Sequence, residues 1–215
     1  MYQPTLVEVP TQLPLSRYLS VRVPVLDQGQ EGACVWFSNG HRVASDPVRA
    51  EITDAQCRQY YREAQLIDEW EDTPPEEGTS VLAGVKIGVQ HNYYDSYWWA
   101  FGIDDALRGI GYVAPAVFGI YWLETMFRPR PSGLLEVSGR IAGGHAILGR
   151  GVRMKARLPG EGLQPIEVVR LRNSWGRDWG VDGDAYIRVE DLEGLLKADG
   201  ECVFPVEPGQ RRTEV

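Results

Sequence analysis

Three runs of the sequence contain residue types that could together carry out acyl transfer. The first, VLDQGQEGACVWFSNG, places Gln28 six residues before Cys34, and an apolar, helix-compatible run follows the cysteine directly. The start of a helix favours a thiolate, and an amide N–H nearby can stabilise an oxyanion. The second run, GGHAILGRG, contains His145, and the third, LRNSWGRDWGVDGDAYI, contains Asn173. These residues would supply a nucleophile, a base, a group that orients the base and an oxyanion donor.

The chemistry predicted from this set gives each residue one role. Cys34 is the nucleophile, and His145 takes its proton, holds the thiolate as an ion pair and later protonates the leaving amine. The side-chain oxygen of Asn173 accepts the other ring N–H of His145 and fixes its tautomer. Gln28 directs an amide N–H at the developing oxyanion, beside the backbone N–H of Cys34.

Capping signals predict the helices that position Cys34. The first helix begins near Cys34 and ends before Pro47, because the sequence Ser45-Asp46-Pro47 terminates helices. A second helix begins at Thr53, which fits a capping box with Gln56. Its buried face is predicted from apolar residues at helical spacing, namely Cys57, Tyr60, Tyr61 and Ala64.

A third helix follows the acidic, proline-containing loop 68–78 and is capped by Thr79 or Ser80. Gly84 and Gly88 lower its intrinsic helix propensity. The predicted apolar stripe of this helix consists of Val81, Leu82, Val85 and Val89.

The second half of the chain changes to a period of two residues, which is typical of strands. Strands are predicted over residues 115–121, 144–152, 166–175 and 184–189. Helices followed by strands indicate an α+β protein. In the third of these strands, alternation puts Val169, Leu171 and Asn173 on one apolar, buried face, where the amide of Asn173 needs a partner.

The three motifs resemble those of the papain family of cysteine endopeptidases, and they are nearer to its bacterial and phage members without a prosegment than to the lysosomal ones. The resemblance covers about residues 14–206. QGxxGAC with Phe37-Ser38 is similar to the family's active-site helix, GGHA to its histidine strand, and NSWGxxWGxxG to its asparagine strand. The resemblance therefore implies a peptidase that hydrolyses peptide bonds through an acyl-enzyme on Cys34, without a cofactor or a metal.

The resemblance also implies a fold and two further site residues. The fold would be one catalytic domain over 1–215, with a helical lobe at about 30–113, a barrel-like antiparallel β lobe at about 1–29 and 114–206, and the active site in the cleft between them. Residues 207–215 are expected to fray. Trp175 would lie over the hydrogen bond between histidine and asparagine and border the substrate. Gly78 would match the glycine whose backbone pairs with the substrate.

Several residues depart from the family pattern. Glu31 stands where most members have a disulfide-bonded cysteine, Val35 replaces the usual tryptophan, and Gly144 replaces a polar residue before the histidine. The 28-residue separation of His145 and Asn173 indicates a longer hairpin. Fewer than 30 residues precede Gln28, so an inhibitory prosegment is not expected. No departure removes a catalytic atom.

Composition excludes several other classes of function. The net charge of −8 disfavours a nucleic-acid-binding face. The chain contains no run of 18 apolar residues that could cross a membrane and no secretion leader, and a cytoplasmic location is expected. Cysteine and histidine do not have zinc-site spacing. Cys57 and Cys202 are predicted to be small core residues, although a bridge between them remains open.

The other two histidines are not expected to serve Cys34. His41 lies about 10 Å further along the same helix, and His91 is expected to be a charge at a helix end or on the surface.

Two alternative functions remain open. One is another thiol acyl transfer, such as amide hydrolysis in cell-wall peptides, and the other is a catalytically idle binding or assembly module. The partner expected for the leading prediction is a peptide or a protein.

Overall fold

Three helices occupy the first half of the chain at the predicted positions. The computed structural model describes residues 12–13, 16–18, 24–69 and 78–208. Helix α1 spans Cys34–Val43, α2 spans Asp54–Ile67 and α3 spans Val81–Gln90. The predicted capping box of α2 is confirmed, because the Thr53 hydroxyl accepts from the backbone N–H of Gln56 and the Gln56 side chain accepts in return. The predicted apolar stripe of α2 is also buried.

Ser80 rather than Thr79 caps α3, and its hydroxyl accepts from the backbone N–H of Ala83. Of the predicted stripe of this helix, Val81 and Val85 are buried, whereas Leu82 and Val89 are only partly buried. Ile87 and both glycines, which were not predicted to face the core, are buried. A Cβ on Gly84 would stand 2.3 Å from Val35 of α1, and one on Gly88 would stand 2.3 Å from Tyr94. The two glycines therefore permit close packing, which outweighs their low helix propensity.

The strands form one antiparallel sheet in the order β2-β7-β3-β4-β5-β6, and β1 pairs with the second half of β4. Their bounds are Ser16–Tyr18 for β1, Ser96–Trp99 for β2, Ala116–Leu123 for β3, Ile141–Ala156 for β4, Ile166–Arg172 for β5, Asp184–Arg188 for β6 and Glu201–Val206 for β7. Among these described strands, β2 and β6 end the sheet and do not pair with each other. The expected closure into a barrel is therefore wrong, and the sheet is open.

Three strands (β1, β2 and β7) and two helices were not predicted. Strand β2 lies in the expected helical half but pairs with β7, near the carboxyl end of the chain. Helix α4 spans Ile103–Arg108, continued by a π-helical turn over Gly109–Val113, and α5 spans Val189–Lys197. Strand β2 reads SYWW, which has no polar alternation, and β7 contains a proline. Their pairing is a long-range event that local periodicity does not report.

The sheet carries apolar residues on both faces, and each face packs on a different set of helices. Alternate residues of β3, including Phe118 and Ile120, share one core cluster with Leu107 of α4 and Leu192 of α5. Val117, on the opposite face of β3, packs in a second cluster that joins α1 and α3 to the sheet. The other members of this cluster are Val35 of α1, Val81 and Val85 of α3, Ala146 and Leu148 of β4, and Val203 of β7. Helix α1 therefore lies directly against the strand that carries His145.

Glu207, the first residue after β7, does not fray as expected. Glu207 is only 6% exposed and its carboxylate forms an ion pair with the buried Arg42 of α1, which also donates to the carbonyl of Pro205 at 3.0 Å. The predicted fraying is thus wrong for Glu207, and residues 209–215 lie outside the described part of the chain. Within the described ranges, none of the helices has the length and apolar character needed to span a bilayer.

Candidate active site

Cys34 is the first residue of α1, as predicted, and its side chain reaches the strand that carries His145. It packs in the cluster that contains Ala146, the residue directly after His145. The backbone N–H groups of Ala146, Val35 and Cys34 itself are directed at the sulfur. The residue is partly exposed, so a substrate or a reagent can reach it from solvent.

The surroundings of Cys34 favour the neutral thiol. Burial of the sulfur among protein atoms raises the pKa of Cys34 above its ordinary value, although the three backbone N–H groups oppose this shift. Burial also lowers the pKa of His145 to about 4, against a smaller opposing effect of its hydrogen bond with Asn173. Burial thus favours the neutral thiol of Cys34 and the neutral imidazole of His145 when each group is considered by itself. The thiolate–imidazolium pair expected as the resting form stays a prediction.

His145 and Asn173 are joined by a hydrogen bond. His145 lies in the buried part of β4, Asn173 directly follows β5, and the distance from His145 Nε2 to Asn173 Oδ1 is 2.8 Å. The backbone N–H of Ser174 donates to the same oxygen at 2.9 Å, which fixes the orientation of the amide because an N–H can only donate. Nε2 therefore carries the ring proton, and Nδ1 is the basic nitrogen of His145.

Two aromatic side chains lie against the His145 ring, and two more pack on them. The rings of Trp122 and Trp175 both lie with their centroids 4.7 Å from the centroid of His145. Phe127 stacks on Trp175 at 5.3 Å with an interplanar angle of 3°, and Trp179 meets Trp175 edge-on at 5.7 Å. Only Trp175 was singled out from the sequence. Trp122 and Trp175 contribute to the burial of the ring, and the expected role of Trp175 over the hydrogen bond stays a prediction.

Gln28 is buried, and both ends of its side-chain amide are held. Its Oε1 accepts from the hydroxyl of Ser174 at 2.7 Å, and its backbone N–H donates to the carbonyl of Ser174 at 2.9 Å. Its Nε2 donates to the carbonyl of Glu31 at 2.8 Å. A primary amide nitrogen carries two hydrogens, so a second N–H remains for a substrate oxygen. Sequence reasoning missed Ser174, although its place directly after Asn173 was the available signal.

Gly78 lies close to Gly32, two residues before Cys34, but its backbone is hydrogen-bonded to side chains of α2. A Cβ at this position would stand 3.8 Å from the carbonyl oxygen of Gly32. Its N–H donates to the hydroxyl of Tyr61 at 3.1 Å, and its carbonyl accepts from Gln65 at 3.4 Å. The positive φ of 112° suits glycine. Pairing of Gly78 with a substrate backbone remains a prediction, and it would require the N–H to leave Tyr61.

The remaining histidines and cysteines lie outside this group. His41 is fully buried and its Nε2 accepts from the backbone N–H of Leu26 at 3.1 Å, while burial lowers its pKa well below the ordinary value. His91 is half-buried at the end of α3, and its Nε2 is hydrogen-bonded to the carboxylate of Glu63 of α2 at 2.5 Å. Cys57 and Cys202 are free, buried core residues, as predicted, and no bridge joins them.

The chain is similar in structure to cysteine proteases, although no protein-family model and no curated protein matches it. Xylellain, a cysteine protease from Xylella fastidiosa, superposes with a TM-score of 0.66 at 18% identity over 96% of this chain and 90% of that chain. The Carica candamarcensis cysteine protease CMS1MS2 superposes with a TM-score of 0.60 at 15% identity, over 91% of this chain and 99% of that chain. Procathepsin L 3 of Tenebrio molitor superposes with a TM-score of 0.63 at 14% identity, over 93% of this chain and 72% of that chain. At these identities the similarity establishes that the chain has the fold of papain-like cysteine proteases.

Proposed function

We propose that this protein is a cysteine-type peptidase of the papain type that hydrolyses peptide bonds through an acyl-enzyme on Cys34. The observation that carries the proposal is the hydrogen bond from His145 to Asn173, made on a strand that packs against the helix beginning at Cys34. A histidine held by an amide needs a reacting partner to explain its orientation, and Cys34 is the nucleophile at the adjacent helix start.

The reaction begins from the neutral pair. Nδ1 of His145 accepts the thiol proton as the sulfur of Cys34 attacks the scissile carbonyl carbon, so the histidine is a general base rather than a resting cation. The carbonyl oxygen becomes an oxyanion, which the second N–H of Gln28 and the backbone N–H of Cys34 stabilise. The imidazolium then protonates the leaving amine. Water, deprotonated in turn by His145, attacks the thioester carbonyl. The C–S bond then breaks, the acid product leaves, and the imidazolium returns its proton to the sulfur of Cys34.

Turnover of a mixed peptide library by the purified chain tests the proposal. Wild type should release new amino termini, and Cys34→Ala should release none while its near-ultraviolet circular dichroism is unchanged. Asn173→Ala should lower kcat less than His145→Ala does, because Asn173 orients the base without being it. Equal cleavage by wild type and Cys34→Ala would exclude the proposed chemistry.

One observation favours the idle binding module as a second candidate. Burial raises the pKa of Cys34, whereas an activated cysteine normally has a lowered pKa. An idle module would bind peptides from the same library with identical affinity in wild type and Cys34→Ala, and neither would cleave them. Analysis of products with amine acceptors and crosslinked cell-wall peptides separates hydrolysis of ordinary peptides from other acyl transfers on the same residues.

A further inference from the structure

The oxyanion donor Gln28 belongs to a short loop, residues 27–31, that is attached to the rest of the protein on two sides. On the sheet side, Ser174 binds both the backbone and the side chain of Gln28, and Asp27 forms a β-bridge with Trp175. These contacts hold the carbonyl end of the Gln28 amide. The N–H end depends on a different group, because Nε2 donates to the carbonyl of Glu31. The direction of the catalytic N–H therefore depends on where Glu31 is held.

Glu31 is held by Arg58 of α2. The guanidinium Nε of Arg58 lies 3.0 Å from the carboxylate of Glu31, and its Nη2 donates to the carbonyl of Asp27 at 3.0 Å. The carbon of the same guanidinium lies 5.3 Å from the ring centroid of Phe37, on the first turns of α1. One side chain thus binds the residues on both sides of Gln28 and contacts the helix that begins at Cys34.

We propose that Arg58 is a positioning residue for the oxyanion donor, a role that rests on the proposed peptidase function. Arginine suits this place because its planar fork can bind two acceptors at once, which the single ammonium of a lysine does with more difficulty. Arg58 does not need to touch the substrate. It holds Asp27 and Glu31 at a fixed separation, and the carbonyl of Glu31 then fixes the Gln28 amide plane.

The attachment is sensitive to ionic strength. The side chains of Arg58 and Glu31 are 34% and 29% exposed, so salt can screen their attraction. At 1 M salt the screening length falls to about 3 Å, compared with about 10 Å at 0.1 M. Added salt should therefore loosen the donor and lower kcat in wild type, without a matching change in a variant that lacks the charge on Arg58.

Arg58→Met tests the proposal by a double-mutant cycle with Gln28→Ala, measured as kcat and KM on a peptide substrate. Arg58→Met should lower kcat about 5- to 20-fold with KM nearly unchanged, a fraction of the 10²–10³ typical for a whole lost donor. In the Gln28→Ala background the same substitution should change kcat less than about 2-fold, because the group that it positions is gone. Residual turnover of the slow variants is followed over hours by mass spectrometry.

Two further variants, together with the rate of Cys34 alkylation, distinguish a role in positioning Gln28 from general damage to the fold. Arg62→Met is the matched control, since Arg62 reaches the same carboxylate at 3.9 Å with a side chain that is 71% exposed, and its kcat should equal that of wild type. Glu31→Gln removes only the charge and should lower kcat less than Arg58→Met does. Alkylation of Cys34 by iodoacetamide does not use the oxyanion donor, so its rate should be the same in Arg58→Met and wild type.

The possible outcomes distinguish the two proposals. Three results would overturn the role of Arg58 while leaving the proposed peptidase in place. Arg58→Met could lower kcat equally in the wild-type and Gln28→Ala backgrounds, it could slow the alkylation of Cys34 in parallel, or Arg62→Met could lower kcat as much as Arg58→Met does. Wild type that cleaves no peptide would overturn the proposed function itself and, with it, the positioning role.

Discussion

At the scale of single residues, the protonation of Cys34 and His145 is the feature that most affects the chemistry. Burial favours the neutral form of both groups, because surrounding protein atoms replace the water that would stabilise their charges. Trp122 and Trp175 lie against the imidazole and contribute to that exclusion. The hydrogen bond to Asn173 favours the imidazolium but does not reverse the effect of burial. Burial therefore favours the neutral imidazole of His145, which is the form that can accept a proton.

The pH dependence of Cys34 alkylation follows from these directions. The pKa of Cys34 is raised, so the thiolate fraction should grow through and beyond pH 9, while the pKa of His145 near 4 means that the imidazole is protonated only in acid. The iodoacetamide rate should therefore rise steadily from pH 5 to 9 without an acidic plateau. The rate is followed by mass spectrometry, with Cys34→Ala as the control that assigns the label. A constant rate between pH 5 and 8 would indicate a resting ion pair and contradict this account.

At the scale of elements, the contact of α1 with α3 positions Cys34 through its neighbour Val35. Val35 packs in the cluster between helices and sheet, and Gly84 of α3 leaves just enough space for it. The Asn39 amide, one turn further along α1, donates to the carbonyl of Val35 at 2.9 Å and also lies next to Gly84. Glycine is therefore required at this crossing for reasons of space and not of backbone conformation.

Gly84→Ala should destabilise the protein. A Cβ at this position would stand 2.3 Å from Val35 Cγ1, and overpacking of this kind typically costs about 1–3 kcal/mol, more than alanine gains in helix propensity. Urea unfolding measures the change. Gly194→Ala is the matched control, because Gly194 is an exposed residue of α5 with open space around the new methyl group. This substitution should stabilise the protein by about 0.5–1 kcal/mol. Equal stability of Gly84→Ala and wild type would show that α1 and α3 can move apart without cost.

At the scale of the whole molecule, the sheet and the helices are tied together by contacts between distant parts of the sequence. Strand β2, which follows α3, pairs with β7 near the carboxyl end of the chain. Immediately after β7, the carboxylate of Glu207 binds the fully buried side chain of Arg42 near the end of α1. The guanidinium of Arg42 is fully buried, so its charge depends on this partner. The last described residues thus complete the packing of α1.

Glu207→Ala should therefore destabilise the protein strongly. Removing one partner of a buried ion pair leaves an unpaired charge and typically costs about 3–5 kcal/mol. Glu193→Ala removes a carboxylate that pairs with Lys197 on the surface of α5 at 2.6 Å, and it should cost less than about 1 kcal/mol. Urea unfolding of both variants provides the comparison. A loss below 1 kcal/mol for Glu207→Ala would mean that solvent reaches Arg42 once the carboxylate is removed.

The sequence by itself determined the features that depend on local spacing: the helix start at Cys34, the capping box at Thr53, and the identity of the candidate residues Gln28, His145 and Asn173. Caps and periodicity are local hydrogen bonds and local burial, so they can be recognised in a short window. Only the tertiary structure decided that the sheet is open and pairs β2 with β7. It also decided that Ser174 and Arg58 bind the loop 27–31 and that two tryptophan rings lie against His145. These features join residues that are distant in sequence, and the protonation of Cys34 and His145 depends on the burial that such contacts create.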